Sequence, residues 1–504
     1  MTLHRRKVLG TAAAALVSCL GATAARDPDY GALARAIDGR VVLPGDGDYP
    51  EARQLFQPRY DSVAPAAVAY PAHAGDVAVC LDFARRSAVP VVPRGGGHSY
   101  AGWSTRAGGL VVDAGAMADV AVEGDGVRIG SGARLGDVNA ALAERGRVVP
   151  TGLCPSVGIA GLTLGGGLGL ASRAYGTTAD RLTGARVVTP DGAVREVAAD
   201  SEPELYWALR GGGGGNFGVV TEFRFRTHPV GDCALAELHW PAADSAAVLA
   251  GWQHWLAALP DPFWSQVEFT IEAGSPTAPP AVRVVCLDGR PALERQLTRL
   301  SDLVGRPVWD SRLTVRGYGD TVRAMSGCAE RSPEQCRLPG TLPGRDPQGL
   351  LGRDSYAARS DFWAGAGLPD AAIRAVLSAV GRYGRAAPPG GLGVVQFDGV
   401  CGGAVNRVAA TDTAFVHRDS AFLAQYLAYW PGSATAAEVA RHQGWLDGLW
   451  QDLRPWASGR AYQNYTDPKL TGWREAYYGP NLTRLTEVRR TYDPDRLFRF
   501  PQAL

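Results

Sequence analysis

Two glycine-rich runs constrain this chain more than any other feature: Pro93-Arg94-Gly95-Gly96-Gly97-His98-Ser99-Tyr100-Ala101-Gly102 and Thr151-Gly152-Leu153-Cys154-Pro155-Ser156-Val157-Gly158. Glycine has no Cβ, so such runs let the backbone approach a large flat ligand and its phosphates closely. Each run also carries one nucleophilic side chain, His98 or Cys154, among residues that cannot compete with it. Taken singly, a histidine is most often a loop residue with a structural hydrogen bond, and a lone cysteine an inert buried thiol. A third stretch, Gly161-Leu162-Thr163-Leu164-Gly165-Gly166-Gly167-Leu168-Gly169, leads into Arg173-Ala174-Tyr175-Gly176.

At 504 residues the chain can bury more than one core, and two domains are expected. A net charge of +1 gives no basic field for nucleic acid, so a small-molecule partner fits better. Arg5-Arg6-Lys7 precedes an apolar run from Val8 to Leu20 that is short for a membrane span. This reads as a twin-arginine export signal over residues 1–24, with cleavage after Ala22-Thr23-Ala24, and it implies passage through the twin-arginine export machinery. Leu16-Val17-Ser18-Cys19 also matches a lipoprotein box, in which Cys19 would carry a lipid anchor. Besides Cys19 and Cys154, six cysteines remain, and Cys328 with Cys336 can close a short loop, although connectivity is not readable from spacing. None has zinc-type spacing, and no metal is expected.

Between Val68 and Thr227 short β-branched runs alternate with amphipathic segments. Helices are expected over Asp76–Ser87, Leu135–Arg145 and Glu204–Leu209, and strands over Val89–Val92, Leu110–Asp113, Val127–Ile129, Val187–Thr189 and Val219–Arg226. This is an α+β pattern and not a regular βαβ repeat. Gly213-Gly214-Gly215-Asn216-Phe217-Gly218 formally satisfies G-x-G-x-x-G, but it follows a helix and precedes a strand, the reverse of a dinucleotide fingerprint. After Pro229 the chain becomes richer in Trp, with proline clusters as punctuation and the least structured stretch at Ser326–Gly352.

The order of these motifs, together with His417-Arg418, Gln425-Tyr426, Tyr462-Gln463-Asn464-Tyr465 and the closing Tyr492-Asp493-Pro494, resembles the berberine-bridge-enzyme-like flavin oxidases over essentially the whole mature chain. The resemblance implies a vanillyl-alcohol-oxidase type FAD-binding domain of two α+β subdomains at residues 60–231. A substrate domain, an antiparallel sheet flanked by helices, would follow at 232–458, and residues 459–504 would return to the FAD domain. It further implies FAD attached twice, through His98 to the 8α-methyl and through Cys154 to ring carbon C6. Arg94, Gly95, Gly96, Gly97, Ser99, Gly102, Gly158, Gly161, Gly165, Gly166, Gly169, Gly176, Asn216, Gly218, Val220 and Asn464 match cofactor-contacting positions of the family.

Tyr465 matches the place where relatives carry a catalytic base, with Tyr462 as substitute and Gln425, Gln396 and Asp398 as helpers. A phenol with an ordinary pKa near ~10 is a poor base unless cations or hydrogen bonds stabilise its anion, so such helpers are needed. The implied reaction is oxidation of an alcohol or hemiacetal carbon, with hydride passing to flavin N5 and dioxygen reduced to hydrogen peroxide. The expected substrate is a natural-product intermediate; the alternatives are a hexose or oligosaccharide oxidised at its anomeric carbon and, from another class, a flavin-binding protein without turnover. Two positions depart from the family. Leu168 replaces a tyrosine of plant members, and Trp103 stands where a smaller residue is common, which would slow dioxygen if its ring covered flavin C4a and leaves a dehydrogenase in view.

Overall fold

A computed structural model describes residues 28–504; the expected signal segment and Cys19 lie outside the described residues. Three sheets organise the chain. The first contains β1 (Arg40–Val42), β2 (Ala67–Tyr70), β3 (Val91–Arg94) and β4 (Leu110–Asp113) in the order β1-β2-β4-β3. β2, β4 and β3 run parallel, and helix Ala74–Arg86 makes the crossover between β2 and β3. Buried on both faces, these strands read as continuous apolar runs such as Leu110-Val111-Val112.

The second sheet is antiparallel, with β5 (Val120–Glu123), β6 (Gly126–Gly130), β7 (Leu182–Val188), β8 (Val194–Val197) and β9 (Val219–Arg226) in the order β5-β6-β9-β7-β8. β7 is longer than the expected Val187–Thr189, because Thr183, Gly184 and Arg186 interrupt its apolar pattern while its ladder to β9 continues.

The third sheet has seven antiparallel strands: β10 (Asp232–His239), β11 (Phe263–Glu272), β12 (Pro280–Cys286), β13 (Asp310–Gly317), β14 (Ser355–Ala364), β15 (Leu392–Asp398) and β16 (Ser420–Trp430), ordered β13-β10-β12-β11-β15-β16-β14. Side chains alternate across a strand. Val267, Phe269 and Ile271 of β11, with Val395 and Phe397 of β15 and Phe422, Ala424 and Tyr426 of β16, pack beneath helices Ser245–Ala257, Arg290–Val304, Asp370–Ala386 and Ala436–Leu453. Trp240, Trp252, Trp255 and Trp363 are sealed in that layer. Most of the tryptophan after Pro229 is therefore core and not groove wall. The opposite face, with Gln266, Glu268, Gln396, Asp398 and Gln425, looks toward the first two sheets.

The expected domain limits need two corrections. The first sheet begins at Arg40, well before residue 60, because β1 pairs with β2. The stretch 326–352, expected within the substrate domain, crosses onto the first sheet: Glu51 accepts from the Thr341 and Leu342 amides, Leu342 joins Tyr49 and Tyr70 in a core cluster, and just past its end Arg353 is paired with Asp61. It is also less loose than expected, for Cys328 and Cys336 form a disulfide. Serine at both positions is expected to cost about 2 kcal/mol through lost loop closure, read as a lower thermal midpoint. The C-terminal segment threads back through the first two units, with Phe498 bridged to Val91 and the Leu504 amide bound to Asn216.

Candidate active site

β3 delivers Arg94 into the first glycine run. Its guanidinium is buried, ion-paired with Asp113 at the end of β4 and donating to the Ala52 carbonyl at 2.7 Å. Arg94 thus anchors the run and is among the residues lining the cavity beside it. Gly97 sits at φ +71°, a conformation that favours glycine. Gly96 and Gly158 meet backbone to backbone, so that a Cβ on either would strike the other. The first two runs are therefore pressed together.

This contact carries His98 to within 2.9 Å of Ser156, Nε2 to Oγ, with its ring stacked on Phe56 at 4.0 Å. Burial, reinforced by Arg134, pulls the imidazole down to about 3 and keeps it neutral at physiological pH. Among the described residues no group hydrogen-bonds its Nδ1. The Cys154 side chain opens onto the same cavity, whose walls desolvate the thiol and push it above its ordinary range.

The cavity has a volume of about 1070 Å³ and runs from the glycine runs, past Gly213–Asn216 and Val219–Val220, to the open face of the third sheet. It exceeds the usual ~300–1000 Å³ of a small-ligand pocket, as room for a dinucleotide and a substrate requires. Gly95, Gly96, Gly97, Ser99, Gly158, Gly161, Gly169, Asn216, Gly218, Val220 and Asn464 line it, as do His98, Cys154, Tyr462, Tyr465, Gln396, Asp398 and Gln425.

Four expected cofactor residues lie outside this wall. Gly102 faces the Tyr60 ring, Gly165 the Asn464 amide, Gly166 the Phe415 ring and Gly176 the Asp180 carboxylate. These glycines serve close packing and, at Gly102, Gly166 and Gly176, positive φ. The Asn216 amide is also committed within the protein, donating to the Gly212 carbonyl and accepting from the Leu504 amide.

Among the candidate bases, Tyr462 is spent on architecture: its hydroxyl accepts from the Gly167 amide at 3.0 Å and from Asn464 Nδ2 at 2.9 Å. Tyr465 lies parallel to Tyr100, ring centroids 5.5 Å apart, and edge-on to Tyr462. Its hydroxyl has no hydrogen-bond partner among the described residues. Burial, then the neighbouring Tyr100 and Asp398, drive it far above the ordinary phenol range.

The expected glutamine helpers do not reach Tyr465. They belong to a row crossing three strands: Gln266 donates to Glu268 and to Gln396 at 3.0 Å, Gln396 donates to Gln425 at 2.7 Å, and Gln425 donates to the Tyr100 hydroxyl at 2.8 Å. Arg283 closes the row on Glu268. Asp398 stands apart, for burial and then Glu268 push its carboxyl up to about 7 against Trp264 and Arg283, and its buried Oδ1 has no hydrogen-bond partner. Trp103 packs on Phe500 of the C-terminal segment and on none of the rings around Tyr465.

Sequence reading missed Tyr100, Gln266, Glu268 and Arg283. A usable signal existed in β11, where Gln266, Glu268 and Thr270 alternate with Val267, Phe269 and Ile271, marking a strand whose second face meets something polar.

Comparison with known proteins identifies the family. Residues 65–198 match the FAD binding domain family, and residues 461–504 match the berberine and berberine-like family. An uncharacterized FAD-linked oxidoreductase of Bacillus subtilis, YgaK, is 31% identical over 479 residues, 93% of this chain and 97% of its own. The chitooligosaccharide oxidase of Gibberella zeae is 28% identical, with 87% of each chain covered. Among solved structures, Physcomitrella patens BBE-like 1 superimposes with a TM-score of 0.82 at 27% identity, covering 94% of this chain and 98% of that one. Glucooligosaccharide oxidase of Acremonium strictum, described with 6-S-cysteinyl, 8α-N1-histidyl FAD, gives 0.79 at 25% identity, covering 93% and 97%. The chain belongs to the berberine-bridge-enzyme-like family of FAD-linked oxidoreductases.

Proposed function

We propose that the protein is an FAD oxidase with doubly attached flavin that oxidises an alcohol or hemiacetal carbon of a polyhydroxylated substrate. The observation that carries this reading is the convergence on one cavity of two nucleophiles, His98 and Cys154, with Tyr465, Asp398 and the amide row. The residues fit the cofactor: glycines leave space, the imidazole is neutral, and Ser156 occupies Nε2 so that Nδ1 is the nitrogen left for attachment. Attachment through the same nitrogen is named for the Acremonium enzyme.

Bound FAD supplies the acceptor for the hydride, and dioxygen, reduced to hydrogen peroxide, is the terminal oxidant. Tyr465 cannot rest as a phenolate, since no cation offsets its burial. No hydrogen bond joins the two side chains, so Tyr465 takes the substrate hydroxyl proton only when a bridging hydroxyl in the cavity carries its own proton on to Asp398, whose carboxyl near 7 is matched to that task. Tyr465→Phe is expected to lower kcat about 100-fold. A change within about threefold, far short of loss of a general base, contradicts the role.

The polar row and Arg283 favour a sugar, which offers hydroxyls to each partner in turn. A natural-product substrate finds support in the apolar strip of Val394 and Leu427 beside Tyr429. Peroxide release from a panel of reducing mono- and oligosaccharides tests the first reading; turnover of none of them favours the second. Arg5-Arg6 and the Cys328–Cys336 disulfide support export to an oxidising compartment, freely or anchored through Cys19.

A further inference from the structure

We propose that Arg134 is the positioning residue that holds the two glycine runs in register, so that His98 and Cys154 reach the same flavin. The inference rests on the double attachment proposed above. Arg134 lies outside the large cavity, at the start of helix Leu135–Ala143, and touches both runs by different means. Its Nη1 donates to the Gly95 carbonyl at 2.8 Å, gripping the run that carries His98. Its backbone bridges Gly158, and the next two amides donate to the carbonyls of Val157 and Pro155, gripping the run that carries Cys154.

The guanidinium has no ion-pair partner among the described residues. Asp113 is committed to Arg94, and Asp137 to Arg337. From the far side Gly344, in the stretch held by the Cys328–Cys336 disulfide, packs so closely on the guanidinium that a Cβ there would strike it. A grip of this kind matters because the two attachments demand two fixed points at once, and misplacement by about 1 Å can cost a reaction about 100-fold. Each attachment removes one hydrogen from the side chain and one from the flavin, and the electron pair leaves with both protons on dioxygen as hydrogen peroxide.

The experiment is a peptide map of denatured, trypsin-digested protein, scoring what fraction of flavin sits on one species joining the His98 and Cys154 peptides. For Arg134→Met that fraction should fall about tenfold, with singly attached flavin taking its place, and Arg134→Lys should recover part of it. Gly344→Ala, which displaces the guanidinium and also places a strained alanine at φ +80°, should lower the fraction in the same direction without lowering total flavin and serves if Arg134→Met does not fold. Arg337→Gln, which removes the ion pair to the same helix, should leave it unchanged. Full joining in Arg134→Met, or in Gly344→Ala where only that variant folds, overturns the role of Arg134. Absence of the joined species from the unmodified protein overturns instead the double attachment on which the role rests.

Discussion

Asp398→Asn is expected to lower kcat by about 1000-fold and to abolish its rise with pH through neutrality. Burial raises the Asp398 carboxyl to about 7, so the fraction able to take a proton grows as pH climbs through that value, and the rate should grow with it. Asparagine fills the same space but accepts no proton, which leaves a slow and flat profile. The same substitution carries a stability signature of opposite sign. A carboxyl whose folded pKa lies above its unfolded one favours the fold at low pH, and that contribution is lost as pH rises through about 7. At pH 8 the native protein bears the cost of a desolvated charge that Asp398→Asn removes. Its thermal midpoint should then rise by about 2 °C at pH 8 and stay unchanged near pH 4. Loss of activity with no gain in stability at high pH would mean that Asp398 is not a strained proton acceptor.

Gly96→Ala is expected to give protein that holds less than about a tenth of the normal flavin, if it folds at all. The new Cβ meets the Gly158 amide, and the obstacle is backbone with no rotamer to yield. Parting the runs separates His98 from Ser156 and from Cys154 together, so cofactor loading and thermal midpoint should fall together. Gly448→Ala is the control, since space beside Gly448 is open and the residue lies away from the cavity wall. Equal flavin content in the two variants would contradict the close-contact account.

The sequence disclosed the glycine runs well because glycine is informative: a residue that gives up packing and backbone order marks a place where something must approach. It disclosed less about which glycines face the cavity. Gly158 and Gly165 look alike in their motifs, yet one abuts Gly96 on the cavity wall and the other abuts Asn464, a contact between residues far apart in the chain. The site's second wall was harder still. Gln396 and Asp398 were singled out, but their partners Gln266, Glu268 and Arg283 come from strands whose pairing only the folded sheet establishes. Tyr100 was visible inside the His98 run, and its role appears only once Gln425 and Tyr465 are brought against it. Tryptophan, frequent after Pro229, marks no wall by itself, since large apolar rings fill cores as readily as they line grooves.

The most direct test of the central claim is the absorbance and mass of tryptic peptides from the denatured protein. One yellow species joining the peptides of His98 and Cys154, with FAD mass retained, is the predicted result. Release of free flavin, or a yellow peptide containing neither residue, would contradict it.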